Sequence, residues 1–210
     1  MGRILIADDH DALRRGLARG LTEAGHEVEE ASNGNAAIER LTDGYFDIHR
    51  ADGSCDPSGL VKGWAIRGAA RILDARGMRN YFVDAGGDIA TAGQAEPGRA
   101  WHVSIKNPFN QTEVVKAVAL SGQGIATSGN YIRGDHIYNP HRPERRITDI
   151  VSLTVIGSDA LEADRFATAA FAMGRDGIYF IEDMPDLEGY VIDASGVATL
   201  TSGFGTYVAR

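Results

Sequence analysis

Asp164 and Thr168, four residues apart, carry the strongest chemical signal in this sequence. They fall in a run, 161–174, whose apolar spacing predicts a helix, and residues at i and i+4 of a helix share one face. A carboxylate and a hydroxyl on one face are two hard oxygen donors. Such a pair suits magnesium, which fills much of its octahedral shell with water and phosphate. The same residues also read as a solvated helix acid and a packing threonine. Asp56 and Lys62 bracket a turn running into a helix, where exposed N–H groups and an ammonium favour an anionic phosphate. An N-cap followed by a surface lysine is the alternative. Gly86 and Gly87 either let the backbone approach a ligand or turn a hairpin. Thr127, Ser128 and Tyr131, beside Gly129, supply hydroxyls for a ligand loop or for a turn that satisfies itself. His136 is the candidate acid–base group, because imidazole titrates near neutral pH, although a lone histidine is commonly just a hydrogen-bonded residue.

The elements that must hold these groups follow from periodicity. Ala65, Ile66, Ala69, Ala70, Ile72 and Leu73 predict a helix over 63–76, stopped by Gly77. Residues 81–85 and 88–91 flank Gly86-Gly87 as a hairpin, 101–105 and 114–120 are strand candidates, and 151–156 is the clearest strand. A second hairpin, 189–192 with 197–201, follows the 161–174 helix. Before all of this, 3–7 reads as a buried strand ending at Asp8, Asp9 and His10. A helix closed by Gly25, a strand over 26–31 and a short helix over 36–41 come next. The order is therefore βαβα followed by an α+β body in which helices and strands mix without strict alternation.

Composition narrows the function classes. The 210 residues are 43% hydrophobic and 24% charged, which excludes wholesale disorder and fibrous repeats. A net charge of −8 argues against nonspecific binding to nucleic acid or anionic membrane. The single cysteine, Cys55, permits no internal disulfide, no zinc-like Cys/His spacing occurs, and the N-terminus lacks signal-peptide character. A cytoplasmic location without a membrane span is the expectation, and exposed strand edges make a homodimer reasonable. Glycine is in surplus at 26 residues, with only 6 prolines, implying tight turns and close backbone approaches.

Two resemblances add to this reading. The segment ILIADDHDALRRGLARGLTEAGHEVEEASNGNAAIERL resembles the opening of a response-regulator receiver domain. The resemblance implies that Asp8 and Asp9 form a magnesium-binding acidic pair and that Asp52 is the phosphoacceptor. It stops there: His49 and Arg50 fall where that family's buried strand is apolar, and Lys106-Asn107-Pro108-Phe109 matches its Lys-Pro-Phe only superficially. Five blocks farther on are similar to FAD:protein FMN transferases, the ApbE family: DPSGLVKGWA (56–65), DAGGDI (84–89), IATSGNYIRG with HIYNP (125–140), SLTVIG (152–157) and ALEADRFATAAFAMG (160–174). Phe46-Asp47 resembles the stretch leading into the first block, so the expected boundary lies near Tyr45, with 1–45 receiver-like and 46–210 ApbE-like. Members of that family normally carry a longer N-terminal region, so the ApbE-like part is expected to be N-terminally incomplete.

The second resemblance implies a T-fold-type α+β architecture and magnesium-dependent transfer of FMN from FAD to a Thr or Ser hydroxyl of an acceptor protein, with AMP released. It implies a metal held by Asp164, Thr168 and the Gly59 carbonyl. Flavin contacts would come from Asp56, Lys62, Gly86, Gly87, Thr127, Ser128, Gly129, Tyr131 and Tyr138, with His136 as the base. The sequence departs from the family pattern at Arg67, where members often carry aspartate, and at Tyr138 and Asn139, where an apolar residue and aspartate are usual. FAD binding or hydrolysis without transfer, and a non-catalytic signalling fragment, are the competing readings. Self-modification in the segment around Asp193, Ala198 and Thr199 is a smaller one, weakened by Gly196 where a Ser or Thr belongs.

Overall fold

A computed structural model describes residues 2–50, 53–130, 134 and 136–209. The chain forms two compact units, Met1–Asp47 and Ile48–Arg210.

The first unit has strand β1 (Arg3–Ala7), helix α1 (Asp11–Glu23), strand β2 (Glu27–Ala31) and helix α2 (Gly34–Leu41). The βαβα order matches the sequence pattern, and β1 and β2 pair in parallel. The loop after β1 is held by its own polar groups. Asp8 Oδ1 accepts the His10 N–H at 2.7 Å, and the His10 ring accepts the Leu13 N–H at 3.2 Å as the helix N-cap. Arg14, buried, donates to the Asp8 carbonyl and pairs with Asp11 at 2.5 Å and Glu30 at 3.1 Å. Asp52 lies outside the described residues.

The second unit is α+β. It comprises α3 (Ser58–Ala75), β3 (Tyr81–Ala85), β4 (Asp88–Ala92), β5 (Trp101–Asn107), β6 (Asn110–Leu120), β7 (Gly124–Gly129), β8 (Ile150–Gly157), α4 (Ala160–Ala172), α5 (Gly177–Asp183), β9 (Glu188–Asp193) and β10 (Ala198–Leu200). A six-stranded antiparallel sheet runs β10-β9-β8-β7-β4-β3. The Lys106–Phe109 stretch belongs to the β5–β6 hairpin of this unit. Two sequence expectations change. Thr127, Ser128 and Gly129, expected in a ligand loop or a turn, lie in strand β7 in the middle of the sheet. Helix α3 begins at Ser58, one turn earlier than expected, which puts Gly59 and Lys62 on the helix itself.

Strand alternation sorts the sheet's two faces. Ile125, Ile156, Tyr190 and Ile192 pack with Val103, Ile105, Val118 and Leu120 of the β5–β6 hairpin and with Phe204. The opposite face carries α3 and α4, where Ile66, Ala90 and Ala160 meet. Helix α4 is buried almost all round, which its alanines permit: small side chains let a helix sit deep against its neighbours. The approach is closest at two glycines. A methyl group at Gly63 would stand 2.7 Å from Leu161 Cα, and one at Gly124 would stand 2.1 Å from Ala160 N. Gly63→Ala should therefore force α3 and α4 apart and lower unfolding free energy by about 1–3 kcal/mol in chemical denaturation.

Candidate functional site

The deep seat of α4 decides the chemistry of Asp164. Its side chain is 4% exposed, and a carboxylate that buried must find partners. One is the Gly63 N–H, at 2.9 Å from Asp164 Oδ2. In a regular helix that N–H faces the carbonyl four residues back, which here is Gly59. The Gly59 backbone and the Asp164 carboxylate thus converge on the same stretch of α3. One turn along α4, the Thr168 hydroxyl lies 3.4 Å from Ser128 Oγ on β7.

A residue not singled out from sequence completes the centre. Asp88, first residue of β4 and 1% exposed, accepts the Thr127 N–H at 3.1 Å through Oδ1 and pairs with Lys62 Nζ at 2.5 Å through Oδ2. Its charge also acts on Asp164, raising that carboxyl. The sequence held one signal for it. Asp88 is in phase with the buried Ala90, and a carboxylate at an inward strand position is a rare choice.

Two buried carboxylates and one ammonium leave a net charge of −1. Burial raises the Asp88 carboxyl, opposed by Lys62. Burial, and then the Asp88 charge, push Asp164 up to about 7. The pocket therefore asks for one more positive charge, either a proton or a cation. Carboxylate, hydroxyl and carbonyl oxygens are what magnesium takes, so the donor set fits that ion. Among the described residues no three His, Cys, Asp or Glu side chains gather to hold a metal ion.

Asp56 is held well below the usual carboxylate range by the Arg50 guanidinium, with Ser58 assisting; its Oδ1 accepts the Ser58 N–H at 3.1 Å at the mouth of α3. Arg50 also lies over the Tyr138 ring, 5.6 Å from its centroid, so the first and third blocks meet through a residue the sequence reading had not selected. Lys62, expected as a phosphate-facing charge, is committed to Asp88. Gly86 and Gly87, with φ of 66° and 95°, form a two-residue hairpin turn that requires positive φ at both positions, and a methyl group on either would meet nothing within 4 Å. Thr127 and Ser128 point to opposite faces: Ser128 toward Thr168, Thr127 toward Thr154, 2.8 Å away. Gly129 ends β7, opposite Ser152. Tyr131 lies outside the described residues.

His136 Nδ1 is 2.9 Å from the Gly134 carbonyl. A carbonyl only accepts, so in the neutral ring Nδ1 carries the proton and Nε2 keeps a lone pair. Of the departures from the family pattern, Arg67 pairs with Asp159, the N-cap of α4, at 3.5 Å, and Asn139 closes a turn by accepting the His141 N–H at 2.9 Å.

The fold and site define an α+β protein whose antiparallel sheet backs a buried, oxygen-lined acidic centre between two closely packed helices. The chain belongs to the ApbE family, whose model matches residues 35–191. It is 31% identical over 161 residues to the FAD:protein FMN transferase of Escherichia coli (strain K12), a match covering 72% of this chain and 46% of that protein. With the same-named protein of Salmonella typhimurium it shares 30% over 171 residues, 73% of this chain and 49% of the relative. The chain thus spans about half the length of the curated relatives it matches. Among solved structures, the flavin transferase ApbE from Vibrio cholerae superimposes with a TM-score of 0.71 at 23% identity, covering 82% of this chain and 74% of that one. The ApbE protein of Thermotoga maritima gives 0.68 at 23%, covering 85% and 65%. At that identity these two likenesses speak for the fold alone.

The raised Asp164 pKa has a sign that can be tested. An unfolded aspartate titrates near about 3.9, so between there and about 7 the folded chain holds a proton that the unfolded chain has lost. The stabilisation this proton gives is complete below the lower value and drains away as pH rises through the upper one. In EDTA, wild-type melting temperature should therefore fall relative to Asp164→Asn as pH rises from about 4 to about 8. A difference that stays flat over that range would refute the buried proton.

Proposed function

We propose that residues 46–210 form a flavin-transferring domain that moves FMN from FAD to a Thr or Ser hydroxyl of an acceptor protein and releases AMP, with 1–45 as a separate receiver-like βαβα segment. The observation that carries this reading is the buried Asp164 carboxylate bonded to the Gly63 N–H, one helical turn from Thr168, in a chain of this family. Asp164, Thr168 and the Gly59 carbonyl would hold magnesium, which when bound supplies charge neutralisation for a pyrophosphate. Asp56, Tyr138, Ser128, Gly129, Thr127, Tyr131 and the Gly86-Gly87 turn are the proposed flavin-side contacts. Lys62 serves this site from behind, through Asp88.

In the proposed transfer, the acceptor hydroxyl oxygen forms a bond to the FMN phosphorus. The bond from that phosphorus to the bridging oxygen breaks, and the electron pair leaves with AMP. The hydroxyl proton goes to His136 Nε2, the ring nitrogen left with a lone pair by the contact at Gly134. No helix among the described residues is long and apolar enough to cross a membrane.

The test is direct. The full chain, FAD, magnesium and a Ser/Thr-bearing acceptor protein should yield FMN-labelled acceptor and AMP in equal amounts by mass spectrometry and chromatography. Asp164→Asn should lower the rate at least about tenfold to a hundredfold. AMP without labelled acceptor would replace transfer by hydrolysis. Neither product, in a chain that is folded, would sink the reading.

A further inference from the structure

The buried centre contains an internal competitor for its own metal. Lys62 is a cation on α3, only three residues beyond Gly59, and its charge already acts on Asp164. An ammonium paired to Asp164 would occupy the oxygen atoms that a divalent cation needs. The structure shows Lys62 elsewhere: its Nζ sits 2.5 Å from Asp88 Oδ2, and that carboxylate is fixed from behind by the Thr127 N–H at 3.1 Å. Thr127 is part of the central strand β7, paired on both sides with β4 and β8, so its N–H cannot shift without disturbing the sheet. Asp88 is thus anchored at one oxygen and holds the lysine at the other.

We propose that Asp88 is a positioning residue for the metal site: by sequestering the Lys62 ammonium it keeps Asp164 available and leaves the centre with the single negative charge that attracts a divalent cation. The inference rests on the reading of Asp164 and Thr168 as metal donors. Its charge arithmetic is simple. Wild type carries Asp88, Asp164 and Lys62, a net −1. Removing the Asp88 charge gives 0 and frees the lysine to pair with Asp164. Removing the Lys62 charge gives −2, and removing both restores −1 with no competitor present. An ion pair that merely pinned α3 to the sheet would give a different pattern, because losing either half would loosen the same contact and move the site in the same direction.

The experiment measures Mn2+ binding to the full chain, without flavin, by electron paramagnetic resonance titration well below the melting temperature of each variant. Asp88→Asn keeps an oxygen for the Thr127 N–H and should weaken Mn2+ binding at least about tenfold, whereas Lys62→Met should tighten it by a similar factor. The Lys62→Met/Asp88→Asn double variant, a neutral pair that avoids an unpaired buried charge, should return to within about threefold of wild type. It also serves if either single variant fails to fold, since under the proposal it binds Mn2+ nearly as well as wild type. Both single variants weakening together, both leaving affinity unchanged, or a double variant as weak as Asp88→Asn would overturn the proposal. Asp164→Asn is the control. If it abolishes binding while the other variants behave in one of those ways, the metal reading stands and only the role of Asp88 falls. If Asp164→Asn leaves Mn2+ binding intact, the metal reading fails and this inference fails with it.

Discussion

Helices α3 and α4 approach so closely at Gly63 that a hydrogen atom is the only side chain with room there, and the backbone N–H exposed by that contact is taken up by Asp164. Much else follows from this one contact. The alanines of α4 permit it, Gly124 repeats it where β7 passes the start of α4, and the desolvation it imposes gives the Asp164 carboxyl its unusual affinity for a proton. A buried acid held by a backbone amide keeps a fixed orientation, because an amide in a helix cannot rotate away as a flexible side chain could. The oxygen-lined centre is therefore set by helix packing rather than by a loop.

The sheet contributes through alternation. Strand β7 passes between the two layers, and its successive hydroxyls go to different duties: Ser128 reaches Thr168 on the helix side, and Thr127 closes onto Thr154 on the hairpin side. Its backbone does a third, donating to Asp88. Strand β4 brings that aspartate in beside the helices directly after a turn of two glycines with positive φ. Acidic centre, hairpin turn and central strand are one mechanical unit.

What could be read from the sequence was what depends on neighbours in sequence. Asp164 and Thr168 are one helical turn apart, and the Gly86-Gly87 turn and the 189–201 hairpin announce themselves by composition, so periodicity and turn chemistry found them. The βαβα start was legible for the same reason. Strand β7 was not, because Thr127, Ser128 and Gly129 have the composition of a turn, and only their pairing with Thr154, Leu153 and Ser152 of β8 makes them a strand. The start of α3 was placed too late because Ser58 and Gly59 are weak helix formers, although Pro57 just before them is a helix-start residue. Asp88 was passed over because its partners, Lys62, Thr127 and Asp164, lie far from it in the chain, and no local rule relates them. Arg50 was missed similarly: Tyr138, on which it lies, belongs to a distant block.

The bond from Gly63 to Asp164 spans 101 residues, which gives the centre a place in time as well as in space. Contacts so far apart in the chain form only after loop closure has been compensated by the rest of the fold, so they arise late. As the chain emerges from the ribosome, α3 waits through the synthesis of six strands before its partner helix exists. Until then its glycine face is uncovered, and Lys62 and Asp88 can meet before Asp164 has been made. Residues 62 and 88 both precede 164, so the order of residues along the chain lets the lysine find one carboxylate before the other has been made.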